Sequence, residues 1–368
     1  DSEESYGREQ SYNSNLSEEA ARRYAEALNF LLASKKHRVI LDDVTVVFFA
    51  MDKGEAYGDL LNALLFGSAD MDAGQTQDML ANLMEDAREG RVVAERIAST
   101  EKIDPNVDFY ITGLKPNSAR LAVKFLYHKR FGEVLQNIAR HQSDMQLSPR
   151  PLPVPLWVIK KELVSPKGSN DTVDPALLSK LLESIFTGAP YPEWLLATVV
   201  RRVRTDLCGS ANGLNRNRAG LIKACINRKQ RFSEKKEEFN MSLDPQNHTP
   251  AYLCGRLFAA LEKLQTDAAG GKLNRTIRDA YFSSASSTPS LVFPKLLRLA
   301  QAHLNKVKYP SYYNKLMGDI MDMLLEGEFP NHLRLEDQGR FIIGYYQQME
   351  SFFVKKQSEE NQVMQEDE

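Results

Sequence analysis

An α+β fold is predicted: a small β-containing amino-terminal portion, then a mainly α-helical region, then a carboxyl-terminal helical bundle. Three observations carry this prediction. β-Branched and aromatic runs cluster before residue 115, apolar residues recur at helical spacing after it, and basic charge concentrates in the middle of the chain. At 368 residues there is room for two or three domains, each with its own core. The composition shifts divide the chain into an α+β portion (1–165), a basic helical module (166–240) and a four-helix bundle with an acidic tail (241–368).

Taken in order, residues 1 to 15 are polar and acidic, with little fixed structure expected. Ser17 or Asn15 caps a helix with Glu18 and Glu19 in its first turn, and Ala20, Tyr24, Leu28, Leu31 and Leu32 form its buried stripe. Val39–Leu41 and Val44–Met51 read as strands around an Asp42-Asp43 turn, the second covered on both faces. Leu60–Phe66 and Thr76–Ala98 read as helices, broken between Gly67 and Gly74. Their carboxylates, among them Asp70, Asp72, Asp78, Glu85, Asp86 and Glu89, read as a solvated face rather than a metal site.

Phe109, Ile111 and Leu114 fit a strand ended by Gly113 and Lys115-Pro116-Asn117. Ser118 is then expected to cap a long helix with Leu121, Phe125, Phe131, Leu135 and Ile138 inward, leaving Arg120, Lys124, His128, Lys129, Arg130 and Arg140 outward or beside that face. The prolines of Pro149–Pro155 impose an extended connector. Trp157–Lys161 follows, and Pro166–Thr172 reads as a flexible domain edge. Asp174-Pro175 starts a helix with Leu177, Leu178, Leu181, Leu182, Ile185 and Phe186 as its core stripe. A helix from about Glu193 to Leu207 carries Arg201, Arg202 and Arg204 near its carboxyl end, where cations also suit the helix dipole. Beyond Met241–Thr249, four stripes make the bundle: Tyr252–Leu264, Leu291–Leu304, Leu316–Leu325 and Phe341–Phe353.

The apolar fraction of 42% is ordinary for a soluble protein, and no run approaches the ~20 apolar residues of a membrane helix. Three widely spaced cysteines, Cys208, Cys225 and Cys254, suggest neither a disulfide framework nor a Cys-x-x-Cys metal site, so a reducing cytoplasmic setting is expected. No cofactor is indicated. The chain opens Asp-Ser-Glu-Glu with no methionine or signal peptide, which reads as the remainder of something longer.

The net charge of −2 conceals a division. Residues 1 to 112 hold 11 Lys and Arg against 22 Asp and Glu, residues 113 to 240 hold 22 against 11, and residues 241 to 368 hold 14 against 16. A basic middle between acidic or neutral ends points to a polyanionic partner. Its densest part, Asn212–Arg231, places Arg216, Arg218, Lys223, Arg228, Lys229 and Arg231 among amides, the usual equipment for phosphate oxygens. No Gly-Lys-Ser/Thr follows its glycines, so a Walker site is not expected.

Several blocks resemble one family in that family's order. They are Phe48-Phe49-Ala50, Gly113–Phe125, the Asn-Arg-x-Arg-Ala…Ile-Lys-Ala…Asn-Arg pattern from Asn215 to Arg228, Ala251–Ala259, Tyr281–Pro289, Val292-Phe293-Pro294, His303-Leu304, Phe329–Leu333 and Gln338–Gln348. Together they resemble the large subunit of the type I-C CRISPR interference complex, the RNA-guided assembly called Cascade. Gly220 departs from a commoner alanine, a change that weakens a helix by about 1 kcal/mol. The family carries a further amino-terminal part, which nothing here matches.

The resemblance implies a non-catalytic subunit that helps recognise target double-stranded DNA and stabilise the R-loop by backbone contacts. Its partners would be a crRNA-guided complex with backbone and small subunits, the displaced strand, and a helicase-nuclease recruited after target binding. The candidate contact residues are Lys115, Asn117, Arg120, Lys124, Lys129, Arg130, Arg201, Arg202, Arg204, Arg216, Arg218, Lys223, Arg228, Lys229 and Arg231. Removing charge at Arg216, Arg218 and Arg228 is expected to weaken DNA engagement. The family also makes its carboxyl-terminal bundle separately from an internal start, and Met241 would begin such a product of 128 residues, 241 to 368. A metal-dependent nuclease and a purely architectural scaffold are the alternatives. Six singly scattered histidines and the absence of His-Glu-x-x-His argue against the nuclease.

Overall fold

The computed structural model describes residues 16–52, 56–67, 73–89, 103–118, 120–148, 152–166, 172–206, 213–233, 238–271, 273–324 and 328–366. Helix α1 (Glu18–Ala33) starts where the Ser17 hydroxyl accepts the Ala20 amide at 3.2 Å. Two strands follow, β1 (Arg38–Leu41) and β2 (Val44–Ala50), joined through Asp42 at φ 55°. Helix α2 (Ala56–Leu61) runs into a π-helical turn at Asn62–Phe66, and α3 (Ala73–Arg88) comes next. The rest of the helix expected to reach Ala98 falls on residues 90–102, which lie outside those described, as do Asp70 and Asp72. Of the remaining carboxylates, Asp78, Glu85 and Glu89 are exposed, whereas Asp86 is buried.

The chain returns as β3 (Asp108–Asn117) and β4 (Arg120–Arg130), completing an antiparallel sheet of order β1-β2-β3-β4. The expected helix over 118–130 is therefore a strand. Val123, Phe125 and Tyr127 favour extended backbone, and Ser118, at φ 53°, sits in a hairpin turn instead of capping a helix. The helix begins only at α4 (Phe131–Asp144), whose Phe131, Val134, Leu135 and Ile138 form a buried stripe.

One sheet face packs inward, with Phe48 against Phe66 at 6.1 Å and Phe109 against Phe131 at 4.9 Å between ring centroids. The other carries a ladder in which Phe49 stacks on Tyr110 at 5.0 Å and Tyr110 on His128 at 4.5 Å. Helix α1 does not bury the stripe its periodicity predicts: none of its residues is buried, and Tyr24 and Phe30 stand exposed.

The described part of the proline-rich connector, residues 152–155, has no regular secondary structure, is extended at Pro155, and is strapped to α4 and the residues just past it. Gln142 Oε1 accepts the Val154 amide at 2.9 Å and Gln146 Oε1 the Leu152 amide at 3.0 Å. Helices α5 (Leu156–Leu163), α6 (Pro175–Thr187), α7 (Glu193–Asp206) and α8 (Arg216–Arg231) follow. Asp174 caps α6 and Asn215 caps α8.

Among the described residues five helices form from residue 250, not four: α9 (Pro250–Ala268), α10 (Ile277–Ala285), α11 (Pro289–Leu304), α12 (Pro310–Asp322) and α13 (Leu335–Glu366). The added one is α10, whose Thr276 and Asp279 form a reciprocal capping box at the head of a stretch without a long apolar stripe. Helices α9 and α13 cross closely because a Cβ on Gly255 would strike the Phe341 carbonyl and one on Gly344 the Tyr252 carbonyl. Helix α13 also packs on α7 and α8, so the buried side chains form one continuous core from sheet to carboxyl-terminal helices. Among the described residues no helix is long and apolar enough to cross a membrane.

Candidate nucleic-acid interface

Strand β2 pairs with β3 only as far as Thr45 opposite Leu114, whereas β3 and β4 stay paired to Asn117 opposite Arg120. Lys115, Pro116 and Asn117, with Ala122, Leu121 and Arg120 across from them, thus continue past β2 as a two-stranded ribbon about 10 Å long. A bulge at Gly113/Leu114 sets Lys124 out of the pairing, and Gly113 lies against the Phe125 ring where a Cβ would not fit. Arg120 and Lys124 are exposed and, among the described residues, have no carboxylate partner. Lys115 is paired with Asp43, and Lys160 reaches Asp42 at 2.6 Å, so the aspartates of the β1–β2 turn are already engaged. Exposed Leu121, Val123 and Leu126 lie between and beyond these cations. A two-stranded ribbon is one of the shapes that a DNA major groove admits.

The other end of β4 is different. Arg120 and Arg130 stand roughly 30 Å apart along the strand. There Lys129 pairs with Glu133 at 3.2 Å, His128 meets Asp108 at 2.8 Å, and Arg130 reaches Asp108 at 3.2 Å and the Asn106 carbonyl at 2.6 Å.

The dense cations of α8 do not form an exposed track. Arg218, 2% exposed, meets Glu162 at 3.0 Å and Asp206 at 2.9 Å. Arg228, 1% exposed, lies 3.4 Å from Asp144, donates to the Ser184 carbonyl at 2.8 Å and sits 4.2 Å from the Tyr191 ring centroid. Arg231 reaches both oxygens of Asp144 and also Glu238 at 2.8 Å. Lys223 is buried and donates to the Asp144 backbone carbonyl at 3.0 Å, and burial pushes its pKa down to about 8. Arg216 donates to Gln146 at 2.8 Å and is half-buried, which holds its pKa down. Lys229 pairs with Glu336. Arg218, Lys223 and Arg228 face inward because α8 runs through the middle of the helical region, contacting α4, α5, α7 and α13, whereas Lys229 is exposed.

The sequence of this frame matches the family described as CRISPR-associated protein (Cas_Csd1) over residues 1–353. The chain belongs to that family. It is the large-subunit family of type I-C Cascade that the sequence blocks resemble, and no curated protein matches the chain. In this Cas_Csd1 chain the α7 arginines divide. Arg201 is exposed with no side-chain partner among the described residues, whereas Arg202 bonds Asp206 at 2.6 Å. Arg204 bonds Ser287 at 2.7 Å and Gln338 at 3.0 Å, tying α7 to the α10–α11 joint and α13.

The structure therefore gathers Lys115, Asn117 and Arg120 on one ribbon with Lys124 at the bulge at its base, and keeps Arg218, Lys223 and Arg228 inside the molecule, with Arg231 partly buried beside them. The ribbon's exposed apolar residues escape a helical reading of this stretch. The signal for them is Asn117-Ser118 between two runs rich in β-branched and aromatic residues, a hairpin pattern. Among the described residues no three His, Cys, Asp or Glu side chains converge to hold a metal ion.

Proposed function

We propose that this Cascade subunit of the Cas_Csd1 family is a non-catalytic nucleic-acid-binding large subunit of an RNA-guided CRISPR surveillance complex. It acts in the cytoplasm beside crRNA, backbone and small subunits, aids recognition of target double-stranded DNA, and stabilises the R-loop with its displaced strand through backbone contacts. A helicase-nuclease joins after target binding. Exchanging a DNA duplex for an RNA–DNA duplex is nearly balanced energetically, so a few protein contacts to phosphates can tip it.

The observation that carries this reading is the projecting ribbon with the bulge at its base, where Arg120 and Lys124 are exposed and, among the described residues, without carboxylate partners, while most other candidate cations are engaged within the fold. Asn117 at its end and Arg201 on α7 supply further exposed donors. The test is R120E/K124E in the assembled complex, with target-DNA affinity measured across a salt series. Weaker binding is expected, with the salt slope lowered by about one unit for each phosphate that the variant no longer neutralises. Wild-type affinity and slope in that variant would sink the reading. Charge removal at Arg218 or Arg228 cannot serve as this test. Breaking a buried ion pair costs about 3–5 kcal/mol, so such variants lower the melting temperature whatever the chain binds.

A further inference from the structure

A cavity of about 280 Å³ lies where α4, α8 and the segment leading to α9 meet, with Ala87 of α3 also in its wall. Helical spacing builds two of its sides. Arg140, Ser143 and Asp144 fall at i, i+3 and i+4 on α4, and Lys223, Asn227 and Arg231 at i, i+4 and i+8 on α8, so each set shares one helix face. Residues 238–241 form a third side, pinned to α8 because Asn227 bonds both the amide and the carbonyl of Phe239. The carboxylates of the lining are already neutralised. Both oxygens of Asp144 accept from Arg231, with Arg228 3.4 Å away as well, and both oxygens of Glu238 accept from Arg231, at 2.8 Å and 2.9 Å. Lys223, only 3% exposed, has three N–H groups but one bonding partner among the described residues, the uncharged Asp144 backbone carbonyl. The charges that act on its ammonium are those of Asp144, Arg231 and Glu238, all in the lining, so the ammonium stands at the cavity. Arg140 is exposed, and neither its guanidinium nor the Ser143 hydroxyl has a partner among the described residues.

We propose that this cavity is a site for a phosphate dianion, free or as a small monoester, held between the Lys223 ammonium and the Arg140 guanidinium with the Ser143 hydroxyl beside them. The chemistry of the lining selects this ligand. Arg140, Lys223, Arg228 and Arg231 face only two carboxylates, and a buried cation is costly unless an opposite charge reaches it. A small tetrahedral anion supplies that charge to Lys223, and the planar fork of Arg140 matches two phosphate oxygens. The volume falls just under the ~300–1,000 Å³ of drug-sized ligand sites, which excludes a larger ligand. A neutral ligand leaves the surplus charge standing. An interior phosphodiester of a polymer, singly charged and flanked by sugar on both sides, suits neither the charge nor the volume. Bound here, the anion ties α4 and α8 to the segment that leads into the carboxyl-terminal bundle, so it stabilises the fold by mass action.

The melting temperature of the whole chain is measured against sodium phosphate at constant ionic strength, with chloride making up the balance, and against adenosine monophosphate in a second series. Phosphate also raises melting temperatures by exclusion from protein surfaces, without saturating. The expected signature is therefore a rise that saturates and whose midpoint depends on Arg140. Arg140→Gln, at an exposed position, is expected to fold normally and to raise the half-saturating phosphate concentration about fivefold or more. Lys223→Met is expected to abolish the saturating part. Arg275→Gln, an exposed arginine that does not line the cavity, is expected to keep the wild-type midpoint. A saturating rise with adenosine monophosphate as well assigns the site to monoesters, and one with phosphate alone to the free ion. A rise that never saturates overturns the proposal, as does a wild-type midpoint in Arg140→Gln or an equal shift in Arg140→Gln and Arg275→Gln. The ribbon takes no part in this measurement, so R120E/K124E still tests the nucleic-acid reading if the cavity binds nothing.

Discussion

Asp144, buried at the carboxyl end of α4, has two guanidinium groups against its oxygens, those of Arg228 and Arg231. Burying a carboxylate or a guanidinium group is costly unless each finds an opposite charge and hydrogen bonds, and here the two arginines and Asp144 supply these to one another. Two side chains that look like phosphate binders in a linear sequence thereby serve the interior. The same neighbourhood sets a pH response. His141 is fully buried, bonded through Nδ1 to the Tyr191 hydroxyl, with no partner on Nε2. Burial, and secondarily the nearby Arg228, push its pKa down to about 3. An unfolded chain takes up this proton near pH 6.5, the folded chain only near 3, so between those values the unfolded state binds more protons. Stability therefore falls as pH drops through that window, by about 2 kcal/mol at pH 5 from this residue. Urea unfolding at pH 7 and pH 5 tests it. His141→Gln is expected to narrow the difference between the two pH values by about that amount, and an identical pH difference in the variant refutes it.

At the scale of elements, β4 shows where periodicity misleads. The series Leu121, Phe125, Phe131, Leu135 and Ile138 fits a helix, but only from Phe131 does the backbone follow it; upstream the alternation of Phe125 and Tyr127 with exposed neighbours belongs to a strand. The β1–β2 hairpin, α6, α7 and the start of α9 are legible in the sequence because turn aspartates, a first-position proline and long apolar stripes act locally. The direction of the α8 cations is not legible there, since it depends on carboxylates brought from α4, α5 and α7. Gly220 is a case where local and tertiary terms oppose. Helix propensity alone makes Gly220→Ala stabilising by about 1 kcal/mol. Yet a Cβ there runs into the Met145 carbonyl just past α4, and such overpacking typically costs about 1–3 kcal/mol. The expected outcome is a net loss of stability, read as a lower melting temperature. A rise would show that α4 and α8 can separate without cost.

The whole molecule is held together across position 241. Gln347 of α13 donates to the Asn240 carbonyl at 2.9 Å, next to Phe239, whose amide donates to Asn227 of α8 at 2.7 Å and whose carbonyl accepts from it at 3.0 Å. Gly339 of α13 sits against Ile222 and Ile226 of α8 and Leu196 of α7, while Arg204 and Lys229 bond Gln338 and Glu336 from outside the bundle. A polypeptide of residues 241–368 keeps α9 to α13 and the α9–α13 crossing, but leaves bare the α13 face that α7 and α8 cover here. Exposed apolar surface of that kind drives association. Expressed alone, residues 241–368 are therefore expected to dimerise, or to bind residues 1–240 supplied in trans, as judged by size-exclusion chromatography with light scattering. A monomer that ignores the other fragment and binds no hydrophobic dye would mean that the α13 face is sealed by rearrangement within the bundle. Replacing Ile222 and Ile226 by Ala in the 1–240 fragment should weaken the trans association, because those side chains pack directly on Gly339.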